Sequence, residues 1–221
     1  MTLVRIGGPA ALICAATYIV GFVLLLSVLA PLGYGTGQID PAAVVAFTAE
    51  NAGLMIAWHS IIYVLNALAL AVLVVALHAR LTIVTPAWAE TTRAIGLIWA
   101  ALVLGAGMIA NVTVEETVRL SATDPEAAVA LWRVLHAVEL GLGGGNEIAG
   151  GVWILGVSLA AWGARVLPRP VSGLGVLVGA SGLLTVLPPL GDATGAIFGL
   201  GAILWFLGTG FALLRGSNPP H

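Results

Sequence analysis

Apolar stretches of about 20 residues recur along this chain, separated only by short polar breaks. A helix rises about 1.5 Å per residue, so each stretch can cross a hydrocarbon core of roughly 30 Å. Composition points the same way. With 60% hydrophobic and 8% charged residues, the chain lacks the charge to cover a water-soluble surface. It therefore reads as an all-α, polytopic transmembrane bundle.

Six spans are expected, at about 8–30, 54–77, 95–113, 146–164, 171–187 and 196–214, in a single transmembrane domain covering 1–221. The first span exceeds the apolar core of a secretory signal and lacks a small-x-small cleavage site, so it reads as retained. The Gly/Pro-rich PLGYGTGQIDP follows it as a loop. The third span is expected to end at Glu115 and Glu116, and the fifth at Pro188 and Pro189.

Orientation follows from the arginines. With the N-terminus inside, Arg5, Arg80, Arg93, Arg165, Arg169 and Arg215 fall on the cytoplasmic side, and only Arg119 and Arg133 outside. That bias is the one short loops show, so the expected topology is N-in, C-in. The lone Cys14 excludes an intrachain disulfide. A net charge of −2 without a basic stripe gives no sign of a nucleic-acid partner.

This topology sorts the acids. Asp40, Glu50, Asp124 and Glu126 fall in outer loops and read as solvated; Asp192 lies in the last outer connection, and only Glu90 is cytoplasmic. His78 reads as a cytoplasmic interface residue. Other polar residues form stripes. His59, Tyr63 and Asn66 stand at i, i+4 and i+7 in the second span, and Asn111 and Glu115 are four apart in the third. His136 and Glu139 are three apart, and Glu139, Gly143 and Glu147 continue at i+4 steps if the helix is unbroken. Ionisable groups in a bilayer cost about 2.5–3.5 kcal/mol each and favour a bundle interior or wet cavity. The expectation is an outward-opening polar pocket among spans two, three and four. Its candidate ligand-binding residues are His59, Tyr63, Asn66, Asn111, Glu115, His136, Glu139, Asn146 and Glu147. The bland alternatives are interfacial histidines, asparagines that join helices, and glutamates that mark helix ends.

Gly143, Gly144 and Gly145 are costly inside a helix. They suit a break, which would make about 125–140 a separate outer interfacial helix anchored by Trp132. One long helix is the alternative. Gly175 and Gly179, and Gly195 and Gly199, form GxxxG pairs that predict close packing of the last three spans. No nucleotide-binding loop occurs. The single weak His136/Glu139 pair, without HExxH or paired ExxH, makes neither a metal nor another cofactor an expectation.

The segments GLIWAALVLGAGMIANV, GLGGGNEIAGGVWILGVS and LPRPVSGLGVLVGASGLLTVLPPL resemble a set of small bacterial membrane proteins classed as a domain of unknown function. The resemblance implies a six-span bundle in a bacterial cytoplasmic membrane. It implies no activity and no site residues.

Three functions fit these features. The leading one is a binding protein whose outer pocket takes a small lipophilic or cationic molecule, to sense, sequester or help move it. The second is an intramembrane enzyme using a carboxylate general acid, with Glu147, Glu115 and His59 as first candidates. The third is a small secondary transporter; six spans without an evident inverted repeat would then call for a homodimer.

Overall fold

The computed structural model describes residues 3–34, 38–144, 147–187 and 189–215, without the side chains of Leu3 and Asp192. The described residues form helices and connections, with no strand. Helix α1 (Leu3–Leu24) continues through a wider π turn, Leu25–Leu29, and a short 3-10 turn, Ala30–Leu32. Then come α2 (Pro41–Glu50), α3 (Ala52–His59), a second π turn (Ser60–Leu65) and α4 (Asn66–Leu81). The chain continues through α5 (Pro86–Ser121), α6 (Pro125–Glu139), α7 (Ile148–Ala164), α8 (Arg169–Leu184) and α9 (Gly191–Arg215). Among the described residues, five stretches are long and apolar enough to cross a membrane: Val4–Leu32, Ala52–Leu81, Pro86–Ser121, Pro125–Ala164, which includes positions outside the described residues, and Ala193–Arg215. The 16-residue α8 is shorter, about 24 Å at the usual helical rise, and packs between α7 and α9. The molecule is an all-helical membrane bundle.

Several boundaries differ from the sequence expectation, each for a local reason. The loop after the first span contains α2. Asp40 supplies its N-cap, accepting from the amides of Ala42 (3.0 Å) and Ala43 (3.3 Å), and Pro41 occupies the first turn, where no amide is needed. Asp124 likewise caps α6, accepting from Ala127 N–H at 3.0 Å. These two acids hold helix starts rather than merely facing solvent. The helix that carries the third span does not stop at Glu115 and Glu116 but runs as α5 to Ser121, where the buried Thr117 continues its inward stripe while Glu116 and Arg119 pair beside it. At the other end, α8 stops at Leu184, before Pro189; Pro188 lies outside the described residues.

Between α6 and α7 the helical path is interrupted at Gly143, whose φ of +159° and ψ of 14° are not helical. Gly145 and Asn146 lie outside the described residues, and α7 starts after Glu147.

Glycines set the closest backbone approach, between α7 and α8. A methyl group on Gly179 would sit 2.5 Å from Leu155 N and 2.7 Å from Gly151 O, so only hydrogen fits. The second expected pair behaves differently. Gly199 faces the Phe22 ring of α1, and a methyl on Gly195 would meet nothing within 4 Å. Helix α9 thus packs on α1 as well as on α8. Gly8 of α1 lies against Gly210 and Leu214, which brings the start of α1 and the end of α9 to one face. Arg80, Arg165, Arg169 and Arg215 line one cavity there.

Candidate functional site

The polar stripes meet on the opposite half of the bundle, in two adjoining places. The first is a hydrogen-bonded cluster around Glu139, which is 8% exposed at the end of α6. Tyr63, from the π turn after α3, donates its hydroxyl to Glu139 Oε1 at 2.8 Å. His136 Nδ1 lies 3.1 Å from Glu139 Oε2 and donates when that nitrogen carries the proton. A buried carboxylate therefore meets a polar partner at each oxygen, as low-dielectric surroundings demand.

Aromatic rings close around this cluster. His136 stacks on Trp132 with centroids 4.5 Å apart, and Tyr34 meets His136, Trp58 and Trp132 edge-on at 5.9, 5.9 and 6.5 Å. Tyr34 reaches this position because Gly33 adopts a left-handed turn (φ 83°), where any side chain would strike Gln38 O and Ile39. Burial pushes the Tyr34 phenol above its ordinary pKa, and the Glu139 carboxylate adds to that shift. His59 stands between Trp58 (5.0 Å) and Tyr63 (6.2 Å), with a buried Nδ1 that has no partner among the described residues.

The second place is a cavity of about 210 Å³. Its polar wall is Glu147, Tyr63, Asn66, Thr17 and Tyr18, and its aromatic wall includes Trp58, Trp99 and Phe22. The Glu147 side chain is partly buried and makes no hydrogen bond or ion pair among the described residues. Its backbone amide is held by Thr185 Oγ1 at 3.0 Å, which ties the start of α7 to the end of α8. Trp58 contributes a buried indole N–H that also lacks a partner among the described residues. Gly21 and Gly195 line the cavity from α1 and α9, and a methyl on Gly195 would meet nothing within 4 Å.

Tyr63 belongs to both places: its ring lines the cavity and its hydroxyl engages Glu139. Close packing fixes it, since a methyl on Gly107 of α5 would lie 2.5 Å from Tyr63 Cβ. The π turn explains why the stripe of the second helix divides. Its extra residue per turn rotates Asn66 further from Tyr63 than an α-helix would. Asn66 thus meets α1, donating to Thr17 Oγ1 at 2.7 Å and approaching Cys14 O at 3.5 Å.

The remaining candidates take other positions. Asn111 donates to Ser60 Oγ at 3.1 Å and so links α5 to the π turn; its Oδ1 is buried without a partner among the described residues. Glu115 is exposed on α5, outside both places. Asn146 lies outside the described residues. Among the described residues, no three His, Cys, Asp or Glu side chains gather as they would to hold a metal ion. Tyr18, Thr17, Trp58, Trp99 and Tyr34 were not singled out from sequence. Tyr34 carried a faint signal, being the one aromatic residue in a glycine-rich loop; the others are ordinary members of apolar runs.

Comparison with protein-family models, with curated proteins and with solved structures finds no match for this chain. What can be said of its function therefore rests on the site.

Proposed function

We propose that this chain is a binding protein of a bacterial cytoplasmic membrane, whose cavity beside Glu147 takes the head of a small lipophilic cation. The observation that carries the reading is a carboxylate on an aromatic cavity wall with no cationic partner among the described residues. A carboxylate inside a bundle is costly alone, and an ammonium beside it offsets that cost. Trp58, Trp99, Phe22 and Tyr63 supply ring faces that attract the same charge. The cavity is smaller than the usual 300–1,000 Å³ of drug-sized sites, so it suits a head group, with an apolar tail leaving past Gly195 toward lipid.

The test is binding of decyltrimethylammonium to the purified full chain in nonionic detergent, with decanol as the uncharged match. Saturable binding of the ammonium alone, weakened at least tenfold by Glu147→Gln, is the expected result. Equal binding of decanol, or an unchanged affinity in Glu147→Gln, would overturn the reading.

A second reading, an intramembrane enzyme, is favoured by one feature: the Tyr63–Glu139–His136 chain can pass a proton to or from the cavity wall. Consumption of a lipophilic ester or epoxide that stops in both Tyr63→Phe and Glu147→Gln would favour it over simple binding.

A further inference from the structure

The arginine-rich face carries a second cavity, unrelated to Glu147, of about 750 Å³. Arg80 from the end of α4, Arg165 and Arg169 from the α7–α8 turn, and Arg215 from the end of α9 all line it. None of the four makes an ion pair among the described residues. Glu90, the acid expected on this face, is engaged by His78 and Arg93, both at 3.3 Å. Four like charges thus line one space without an ion-pairing acid among the described residues.

Two further features favour an anion in that space. Arg80 holds a buried Nη1 with no hydrogen-bond partner among the described residues, a costly state for a cationic donor. The first turn of α8 also borders the cavity at Pro168, Arg169 and Val171, and no side chain caps it; Pro168 and Pro170 carry no amide, so Arg169 and Val171 supply its uncapped N–H donors. The turn is shaped for this. Arg165 takes a left-handed conformation (φ 55°) that ends α7, while Val166 and Leu167 are buried beneath it as an apolar anchor. Arg165, Arg169 and Arg215 are exposed and Arg80 is half-buried, and all four line the same cavity.

The rest of the lining identifies which anion. Val171, Gly208, Phe211 and Ala212 form an apolar floor between α8 and α9, and Phe211 remains 50% exposed on a membrane-spanning helix. Arginine donors beside apolar residues, including the half-exposed Phe211, match an amphiphile with a phosphate head. We propose that this cavity is a specific site for the phosphodiester of an anionic phospholipid, with the guanidinium of Arg80 as the inner contact and Arg165, Arg169 and Arg215 as the outer clasp.

Native mass spectrometry of the full chain in nonionic detergent, titrated with phosphatidylglycerol and with phosphatidylcholine of the same acyl chains, tests the proposal. One tightly retained phosphatidylglycerol per chain is expected, with phosphatidylcholine at least tenfold weaker. Arg80→Gln should weaken phosphatidylglycerol about tenfold and Arg169→Gln severalfold, whereas Arg93→Gln, on the same face but outside the cavity, should leave it unchanged. Arg169 is exposed and not needed for packing, so its variant reports even if Arg80→Gln does not fold. Equal retention of the two lipids, or an equal loss in Arg93→Gln and Arg169→Gln, would mean diffuse surface charge and overturn the site. Displacement of the lipid by millimolar inorganic phosphate would overturn its lipid identity in favour of a free anion.

Discussion

Glu139 and Glu147 are eight residues apart, sit on either side of the Gly143 break, and are treated in opposite ways. Both oxygens of Glu139 meet partners, Tyr63 and His136, inside a shell of aromatic rings. Glu147 faces a cavity and has none among the described residues. A buried carboxylate with full hydrogen bonding holds structure together; the one that faces the cavity stands where the proposed ligand would bind. The break permits this difference. Were the helix continuous, i+4 spacing would stack both acids on one face. The non-helical Gly143 decouples them, so that α6 docks against α5 and the aromatic shell while α7 is placed by α8.

The comparison can be broken most sharply at Glu139. Replacing it by Ala leaves the Tyr63 hydroxyl and the His136 ring without their partner, and should cost about 3 kcal/mol of stability in detergent. A melting temperature within a degree of the parent would show that the cluster is not structural.

Glu147→Gln tests the other side. Because that side chain has no protein partner among the described residues, its loss should leave thermal stability within about 0.5 kcal/mol while binding of an alkylammonium falls tenfold or more. A large destabilisation would make Glu147 a second structural acid and erase the contrast.

Tyr63→Phe touches both places at once. It keeps the ring in the cavity wall and removes one hydrogen bond, so a loss of about 1–1.5 kcal/mol is expected, with cation affinity reduced less than in Glu147→Gln. If affinity falls as far as in Glu147→Gln, the two carboxylates act as one site.

Glu115→Gln should do least. The side chain is exposed on α5, so stability should stay within about 0.5 kcal/mol and ammonium binding should not change. An effect on binding equal to that of Glu147→Gln would place Glu115 at the ligand and enlarge the site.

Long apolar runs suffice to determine that this chain is a helical membrane bundle, because the cost of exposing them to water acts run by run and needs no partner. The arginines that gather on one face, and the Tyr63, His136 and Glu139 side chains that meet on the other, were visible as charge bias and helical phase. Helix α2 was also written locally, in the Asp40–Pro41 pair, although a glycine-rich approach disguised it as loop. What periodicity could not supply was the outcome at irregular turns. An ideal 3.6-residue repeat sends Asn66 toward Tyr63, and the π turn sends it to Thr17 instead. Glu115 shares the phase of Asn111 yet remains exposed, because α5 continues past it and no neighbouring helix covers that side. The Glu147 cavity needed still more. Its walls come from α1, the α3–α4 helix, α5, the Gly143 break and α9. A void exists only where several packed surfaces fail to meet, and that is a property of the assembled helices alone.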